Sequence, residues 1–438
     1  MAIGEAIHAV QLQRNELSSQ TAPLASTAGT DQTPISLPPR DPHHRELPAE
    51  TDISLLERDN ARDATKAKFS DIYEVHGNCE KFPVDLPSYS DSENVKGRLN
   101  LPSSIRFFEE IGASEFVLNT LRNGHFPSLK CPVPDYEIEN HGSFRKHYSF
   151  AIDNLRSLLE KGRIEIVDKK PKLVNPLHLV EQRLKNRLIL DCSKLNKFIV
   201  VPKIEYDNHE VAFQYFRKGI YMFNYDLKDG YHHLLIHPSF RDYLGFKLEW
   251  EGKMTYFRYV VGCFGLADLP FIYTKIYRPL VAHWRSFGIP AIKFLDDGGF
   301  FVKDRQTALE YRDHVRKDLI RSGSIYSNKK CVWEPTQTMT WLGFTWNSEN
   351  GTVSAAPHRV EKIKKSCSSL LFMDACPVRL LAAFVGMIIS LAPVVGNCSQ
   401  IMTKKSQILI AMTGNWEAHV PLSEQIKREI LFWKDKTH

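Results

Sequence analysis

The sequence predicts an α+β fold, a sheet with helices on one face in a split-βαβ arrangement, and three observations lead there. Strand-like runs bounded by turn residues recur through the middle of the chain, as Leu244–Trp250 with Met254–Val260 and again within Ala291–Val302. Helical stripes follow them, over Asp268–Arg285 and from Thr307 to a stop at Gly323. Beyond His358 helical patterns dominate. The resulting order is strand, hairpin, helix, hairpin, helix, strand.

Element by element, residues 1–65 are rich in Ser, Thr, Pro, Gln and charge, with Pro34, Pro38, Pro39 and Pro42 close together. Such a segment cannot bury enough apolar surface to offset chain entropy and reads as disordered. In the extension over residues 66–145, Ser103–Asn123 reads as a short helical unit with Phe107, Ile111, Phe116, Leu118 and Leu121 as its core. Tyr148–Lys161 is amphipathic through Ala151, Ile152, Leu155, Leu158 and Leu159, and Gly162 stops it. Arg163–Val167, Leu188–Asp191 and Ile220–Asp226 read as strands. Thr307 and Glu310 have capping-box spacing, and Cys331–Trp346 reads as one hairpin. Leu380–Gly396 is the most apolar stretch, yet it follows Arg379, contains Gly386 and Pro393 and is short for a membrane span, so a buried helix is expected.

The 438 residues are 43% hydrophobic, enough for two or three domains with full cores. The divisions expected are 1–65 disordered, 66–145 an extension, 146–346 the catalytic body and 347–438 a helical region. Residues 1–65 hold ten acidic and five basic side chains, a net of −5, so a formal total of +6 leaves +11 on residues 66–438. A basic body suits a polyanionic partner. Eight cysteines without a CxxC pair argue against a zinc module or a disulfide framework and fit a reducing, intracellular compartment. No secretory signal is visible, and no membrane association is expected.

Chemistry enters at Asp296 and Asp297, adjacent carboxylates in Ala291-Ile-Lys-Phe-Leu-Asp-Asp-Gly-Gly-Phe-Phe-Val302. The Asp-Gly step between β-prone flanks signals a hairpin with both carboxylates at its tip. Hard divalent cations take oxygen ligands, and phosphoryl transfer needs them to neutralise developing charge. Alone, the motif also reads as a solvated turn. Asp226, closing the strand Tyr221-Met-Phe-Asn-Tyr-Asp226, supplies a third carboxylate. Asp226-Leu-Lys-Asp-Gly-Tyr231 adds a chain reversal and an aromatic ring. Gly262-Cys-Phe-Gly-Leu266 is a glycine-punctuated lead into a helix, where backbone can approach a ligand. Arg183, Lys185 and Arg187 form a basic patch fit for a triphosphate.

These blocks resemble the fingers and palm of a retroelement reverse transcriptase from about Asn175 to Trp346. The matching segments are Arg187-Leu-Ile-Leu-Asp-Cys-Ser-Lys-Leu-Asn196, Asp226-Leu-Lys-Asp-Gly-Tyr-His-His233, Tyr243-Leu-Gly-Phe246, Cys263-Phe-Gly-Leu-Ala267, Phe294-Leu-Asp-Asp297, Asn328-Lys-Lys330 and Trp341-Leu-Gly-Phe344, in family order. Ser354-Ala-Ala-Pro357 through Ser390-Leu-Ala-Pro393 is similar to the thumb region of DIRS-type retrotransposons, and Gly97-Arg-Leu to Pro127 resembles the segment ahead of their polymerase.

The resemblance implies a right-hand polymerase with fingers, a split-βαβ palm of ferredoxin- or RRM-like topology and a helical thumb. It implies RNA-directed DNA synthesis from dNTPs on an RNA template with a DNA primer, using two Mg²⁺ ions or Mn²⁺. Asp226, Asp296 and Asp297 would form the catalytic triad, with the Leu227 carbonyl near one metal. Backbone from Lys228 through Asp229 and Gly230 would touch the triphosphate, and Tyr231 would gate against a 2′-hydroxyl. Arg187, helped by Arg183 or Lys185, would hold phosphates; Phe264 and Gly265 would line the nucleotide pocket. Lys330 would face the leaving pyrophosphate, and Trp341, Leu342, Gly343 and Phe344 would grip the primer.

Two positions depart from the family pattern. Phe294 replaces a tyrosine, losing a hydroxyl, and Cys263 stands where proline is usual, which is expected to loosen the pocket. Residues 350–438 lack a spaced set of four carboxylates, so a downstream RNase H domain is expected to be absent and the chain to be a fragment of a polyprotein or a truncated copy. His233 and His237 are expected on a hydrated strand rather than at a metal. Trp333, Trp341 and Trp346 read as sheet packing, while Lys362, Lys364 and Lys365 form either a duplex track or a solvated face. A silent, domesticated copy that only binds nucleic acid and an RNA-dependent RNA polymerase are the competing readings.

Overall fold

A strand ending on Asp226 is the centre of the fold. The computed structural model describes residues 93–180 and 187–436. The disorder expected for residues 1–65, and Arg183 and Lys185 of the basic patch, lie outside the described residues. Two compact units divide the chain, 93–360 and 361–436 among the described residues.

The first unit begins with α1 (Pro102–Glu110) and α2 (Glu115–Asn123). The expected single helical unit is two helices, because Gly112 at φ 75° breaks the run. Next come β1 (Tyr136–Glu137), α3 (Gly142–Lys146), α4 (Tyr148–Glu160), β2 (Ile164–Val167), β3 (Leu173–Val174), β4 (Leu177–Val180), β5 (Arg187–Leu190), α5 (Ser193–Asn196) and α6 (His209–Tyr215). The chain then forms β6 (Tyr221–Asp226), β7 (Gly245–Trp250), β8 (Lys253–Tyr259), α7 (Leu269–Ser286), β9 (Ala291–Phe294), β10 (Asp297–Val302), α8 (Arg305–Arg321), β11 (Val332–Thr336), β12 (Thr338–Trp341), β13 (Phe344–Asn347) and β14 (Thr352–Ala355), and the division between the units falls within α9 (Pro357–Leu371).

Two larger sheets organise this unit. One has the order β1-β3-β7-β8-β2, with β4–β5 as a separate ribbon. The other, order β11-β6-β10-β9, is antiparallel throughout and carries Asp226 and Asp297 at paired strand ends. Strand alternation sends Phe223, Tyr225 and Phe300 to the face lined by α7, where Trp284 lies 6.2 Å from Tyr225 and 5.7 Å from Phe300. The opposite face is covered too: Phe301 meets Trp341 at 5.9 Å and Trp346 at 5.3 Å, from the β12-β13-β14 sheet. These tryptophans are packing residues, as expected.

Three local expectations are corrected. Cys331–Trp346 is not one hairpin: β11 pairs with β6, and the hairpin is β12–β13, turned by Leu342 and Gly343. Both have positive φ, 48° and 76°, which suits the right-handed strand twist. The cap of α8 is Asp304, whose carboxylate accepts from Thr307 N at 2.9 Å, so Thr307 is inside the helix. His233 is on no strand. It sits in a 3₁₀ turn, Gly230–His233, fully buried, and His237 caps the next turn.

The second unit contains β15 (Ala375–Pro377) paired with β16 (His419–Pro421), and α10 (Val378–Ile389), α11 (Ala392–Val395), α12 (Cys398–Ile401), α13 (Lys404–Met412) and α14 (Glu424–Lys436). The apolar stretch expected as one buried helix is split: α10 ends at Ile389 with Leu381, Phe384, Val385 and Ile388 inside, and α11, which follows it, buries none of its residues. No helix among the described residues is long and apolar enough to cross a membrane. Glu429 caps α13, accepting from Lys405 N at 2.7 Å and Ser406 N at 3.0 Å.

Candidate active site

Register brings the carboxylates together. Asp226 at the end of β6 pairs directly with Asp297 at the start of β10, so both side chains share a face. The β9–β10 turn is Leu295-Asp296, with Phe294 paired to Asp297 and Leu295 at φ 52°. Asp296 therefore stands at the tip, and its carbonyl accepts Leu227 N at 2.9 Å. The two glycines expected to make the turn are strand residues instead. A Cβ on Gly298 would overlap the Tyr225 ring, and one on Gly299 would come within 2.8 Å of the Trp341 ring. Glycine is needed there for packing on both faces.

Like charges opposed across two strands are unfavourable unless protonated or neutralised. Burial, then Asp296 and Asp226, pushes Asp297 up to about 7. Burial also raises Asp226, against the pull of Lys330 and with Asp296 adding to it. Lys330 Nζ donates to both Asp226 oxygens at 2.9 Å and remains 64% exposed, against 15% for Asp226. The turn bearing Lys330 hangs from the same strand, since Ser327 N donates to the Asp226 carbonyl at 2.8 Å and Lys330 N to Ser327 O at 3.0 Å. Asp226 and Asp297, opposed on paired strands, and Asp296 in the adjoining turn, which raises the proton affinity of both, are oxygen donors of the type hard divalent cations take.

The adjoining loop is held from behind. Asp229 has φ 48°, and its carboxylate accepts from Arg163 Nη1 at 2.8 Å, so this residue offers backbone rather than carboxylate to a ligand. A Cβ on Gly230 would lie 3.0 Å from the Tyr273 hydroxyl and 3.4 Å from Asp296 Cβ. The Tyr231 ring packs 5.3 Å from Phe264 and 5.3 Å from Tyr273, and burial raises its hydroxyl to about 12. Phe264 is exposed. Gly265, at φ 115°, lies so close to the Leu190 carbonyl that a Cβ would overlap it, and Asn196 clamps the loop through Gly265 O at 2.8 Å and Ala267 N at 3.0 Å. Cys263 is buried, as is Cys192. Arg187 is exposed at the start of β5. Trp341 and Phe344 are buried, leaving the Leu342–Gly343 turn as the accessible part of that hairpin.

Sequence reasoning missed three supports. Lys293 is buried, with Nζ 4.1 Å above the Tyr277 ring and donating to the Leu295 carbonyl, which pins the left-handed tip; burial lowers its ammonium to about 7 despite Asp296 and Asp297. A lysine inside an otherwise apolar strand was the available signal. His232 Nδ1 accepts from Arg163 Nη1 at 2.8 Å, and His233 Nε2 accepts from Ile325 N at 3.0 Å while its Nδ1 faces Gly230 O at 3.0 Å. Both rings must be neutral, and burial lowers them to about 3 and about 4. His233 thus ties the 229–233 loop to the turn that also receives Lys228 N on Ile325 O at 2.9 Å.

Residues 167–346, the segment that contains every carboxylate and Lys330, match the family described as reverse transcriptase (RNA-dependent DNA polymerase). This segment, about two fifths of the chain, is similar to that family. The chain is 24% identical over 219 residues to a polyprotein of Cassava vein mosaic virus, covering 48% of this chain and 32% of that one. It is 25% identical over 187 residues to the genome polyprotein of Petunia vein clearing virus (isolate Shepherd), 42% of this chain and 8% of that one. The chain thus spans about a third or less of the curated relatives it matches. Among solved structures, a foamy viral protease-reverse transcriptase with double-stranded DNA superposes with a TM-score of 0.53 at 15% identity, over 77% of this chain and 60% of that one. Its complex with an RNA/DNA hybrid gives 0.54 over 77% and 46%. The α+β reverse transcriptase fold is shared.

Proposed function

We propose that the chain is an RNA-directed DNA polymerase of retroelement origin, of the DIRS type, extending a primer 3′-hydroxyl with dNTPs on an RNA or DNA template. One observation carries the reading: Asp226 and Asp297 are opposed at paired strand ends, with Asp296 in the adjoining turn and Lys330 on Asp226, inside the segment that matches the reverse transcriptase family. The β11-β6-β10-β9 sheet is then the palm, the β1-β3-β7-β8-β2 sheet belongs to the fingers, and the helices from Pro357 onward are the thumb.

Asp226, Asp296, Asp297 and the Leu227 carbonyl would hold two Mg²⁺ ions, or Mn²⁺. When bound, the ions activate the primer oxygen and neutralise charge on the triphosphate. The chain's own groups do the positioning. Gly230 lies beside Asp296, and phosphates would pass its backbone and that of Asp229 and Tyr231. Arg187, with Arg183 or Lys185, supplies cations for the β and γ phosphates. Tyr231, fixed between Phe264 and Tyr273, excludes a 2′-hydroxyl by volume. Lys330 is positioned to neutralise or protonate the leaving pyrophosphate; Asp226 and then Asp296 and Asp297 hold its pKa above the ordinary lysine value, although burial opposes them. Leu342 and Gly343 would meet the primer. Solved neighbours described with double-stranded DNA and with an RNA/DNA hybrid support a primer–template partner. The seven described cysteines are all free thiols, which suits a reducing, intracellular setting.

Primer extension on an RNA template with Mg²⁺ and dNTPs tests the reading. Activity should vanish in Asp296→Asn. A parent protein that binds primer–template without extending it, or a variant that extends as fast as the parent, overturns the assignment.

A further inference from the structure

Away from the carboxylates, two histidines and an aspartate converge between α7 and α8. His283 lies near the C-terminal end of α7, and His314 and Asp318 are four residues apart on α8, on one face. His283 Nε2 is 3.5 Å and His314 Nε2 3.2 Å from Asp318 Oδ2, and the three ligand atoms lie within 4.8 Å of one another.

Three details distinguish this group from an ordinary His–Asp contact. His314 Nε2 is buried yet makes no hydrogen bond among the described residues, although Asp318 Oδ2 is close. Asp318 is 3% exposed, and the oxygen facing both imidazoles already accepts Trp284 Nε1 at 3.0 Å. A tetrahedral ion with bonds of about 2.0–2.1 Å places its ligands about 3.3 Å apart, and the two observed separations bracket that edge.

We propose that His283, His314 and Asp318 bind one divalent transition-metal ion, Zn²⁺ foremost, as a clamp between α7 and α8 with water as the fourth ligand. Two imidazoles and one carboxylate are a zinc donor set, whereas Mg²⁺ prefers an octahedron of oxygens. The Trp284 indole orients the carboxylate from behind. Phe287, 5.0 Å from each imidazole ring, walls the site, as does Phe107, 6.3 Å from His283. Trp284 also packs on Tyr225 and Phe300, so the clamp would stiffen the helices behind the β9–β10 hairpin without touching the reaction.

The test uses the purified full chain, stripped with a chelator and held in excess Mg²⁺ so that oxygen-only sites are occupied. It is titrated with Zn²⁺ against a chromogenic competitor and, separately, with Co²⁺ followed by visible absorption. The parent should take up a single tight Zn²⁺ and show the intense absorption of four-coordinate Co²⁺. His283→Gln and His314→Gln should each weaken binding by about tenfold or more, and Asp226→Asn should leave it unchanged. The proposal is overturned if the parent takes up no Zn²⁺ above Mg²⁺, or if the histidine variants hold it as tightly as the parent. The two side chains are 22% and 24% exposed, so both variants should fold, which melting without zinc verifies; should one fail to fold, the other decides.

Discussion

Protonating His233 should destabilise the protein by an amount that can be worked out. Its Nε2 accepts the Ile325 N–H at 3.0 Å, so the ring proton belongs on Nδ1, 3.0 Å from Gly230 O. A second proton would confront the Ile325 donor in a fully buried site, and burial lowers the ring from 6.5 to about 4. The unfolded chain therefore takes up the proton first. Stability from this ring is complete above the unfolded value and falls as pH drops toward the folded one. Each pH unit below the unfolded value costs about 1.4 kcal/mol, so between about pH 7.5 and pH 5 the loss is about 2 kcal/mol. His233→Gln retains an acceptor for Ile325 and removes the titration. Urea unfolding of parent and variant at both pH values, followed by tryptophan fluorescence, isolates the effect, because His232 and all other groups are common to both proteins. The parent should lose about 2 kcal/mol more than the variant. Equal losses would refute the neutral-imidazole account.

Two further expectations concern the nucleotide pocket. Tyr231→Ala removes the ring held by Phe264 and Tyr273, so the ratio of ribonucleotide to deoxynucleotide incorporation should rise by about tenfold or more; an unchanged ratio would show that the ring is no gate. Gly265→Ala places a methyl group on the Leu190 carbonyl at φ 115°, which should cost about 2–3 kcal/mol or displace the loop and raise the KM for dNTPs. Melting temperature and KM both at parental values would count against the close approach described.

The candidate site was legible in the sequence because it lies in short blocks whose residue types suit the ions and phosphates proposed to meet them. Asp226, Asp296, Asp297 and Tyr231 stood out in the residue pattern and Lys330 through the family resemblance, and most strands and helices around them followed from periodicity. Local patterns failed where distant chain segments decide. Gly298 and Gly299 looked like a turn, yet Tyr225 and Trp341 require glycine there within a strand. Cys331–Trp346 looked like one hairpin, yet β6 takes β11 as its partner, and pairing between strands that far apart is set by the whole sheet. Arg163 carries no local signal for a buried residue that fixes both Asp229 and His232. The same holds for His283, His314 and Asp318, which carry no pattern until two helices are packed side by side. By itself, then, the sequence determined which donors the protein has and roughly which element bears each one. Only the tertiary structure decided which of them meet, because burial, proton affinity and ligand geometry depend on neighbours that are remote along the chain.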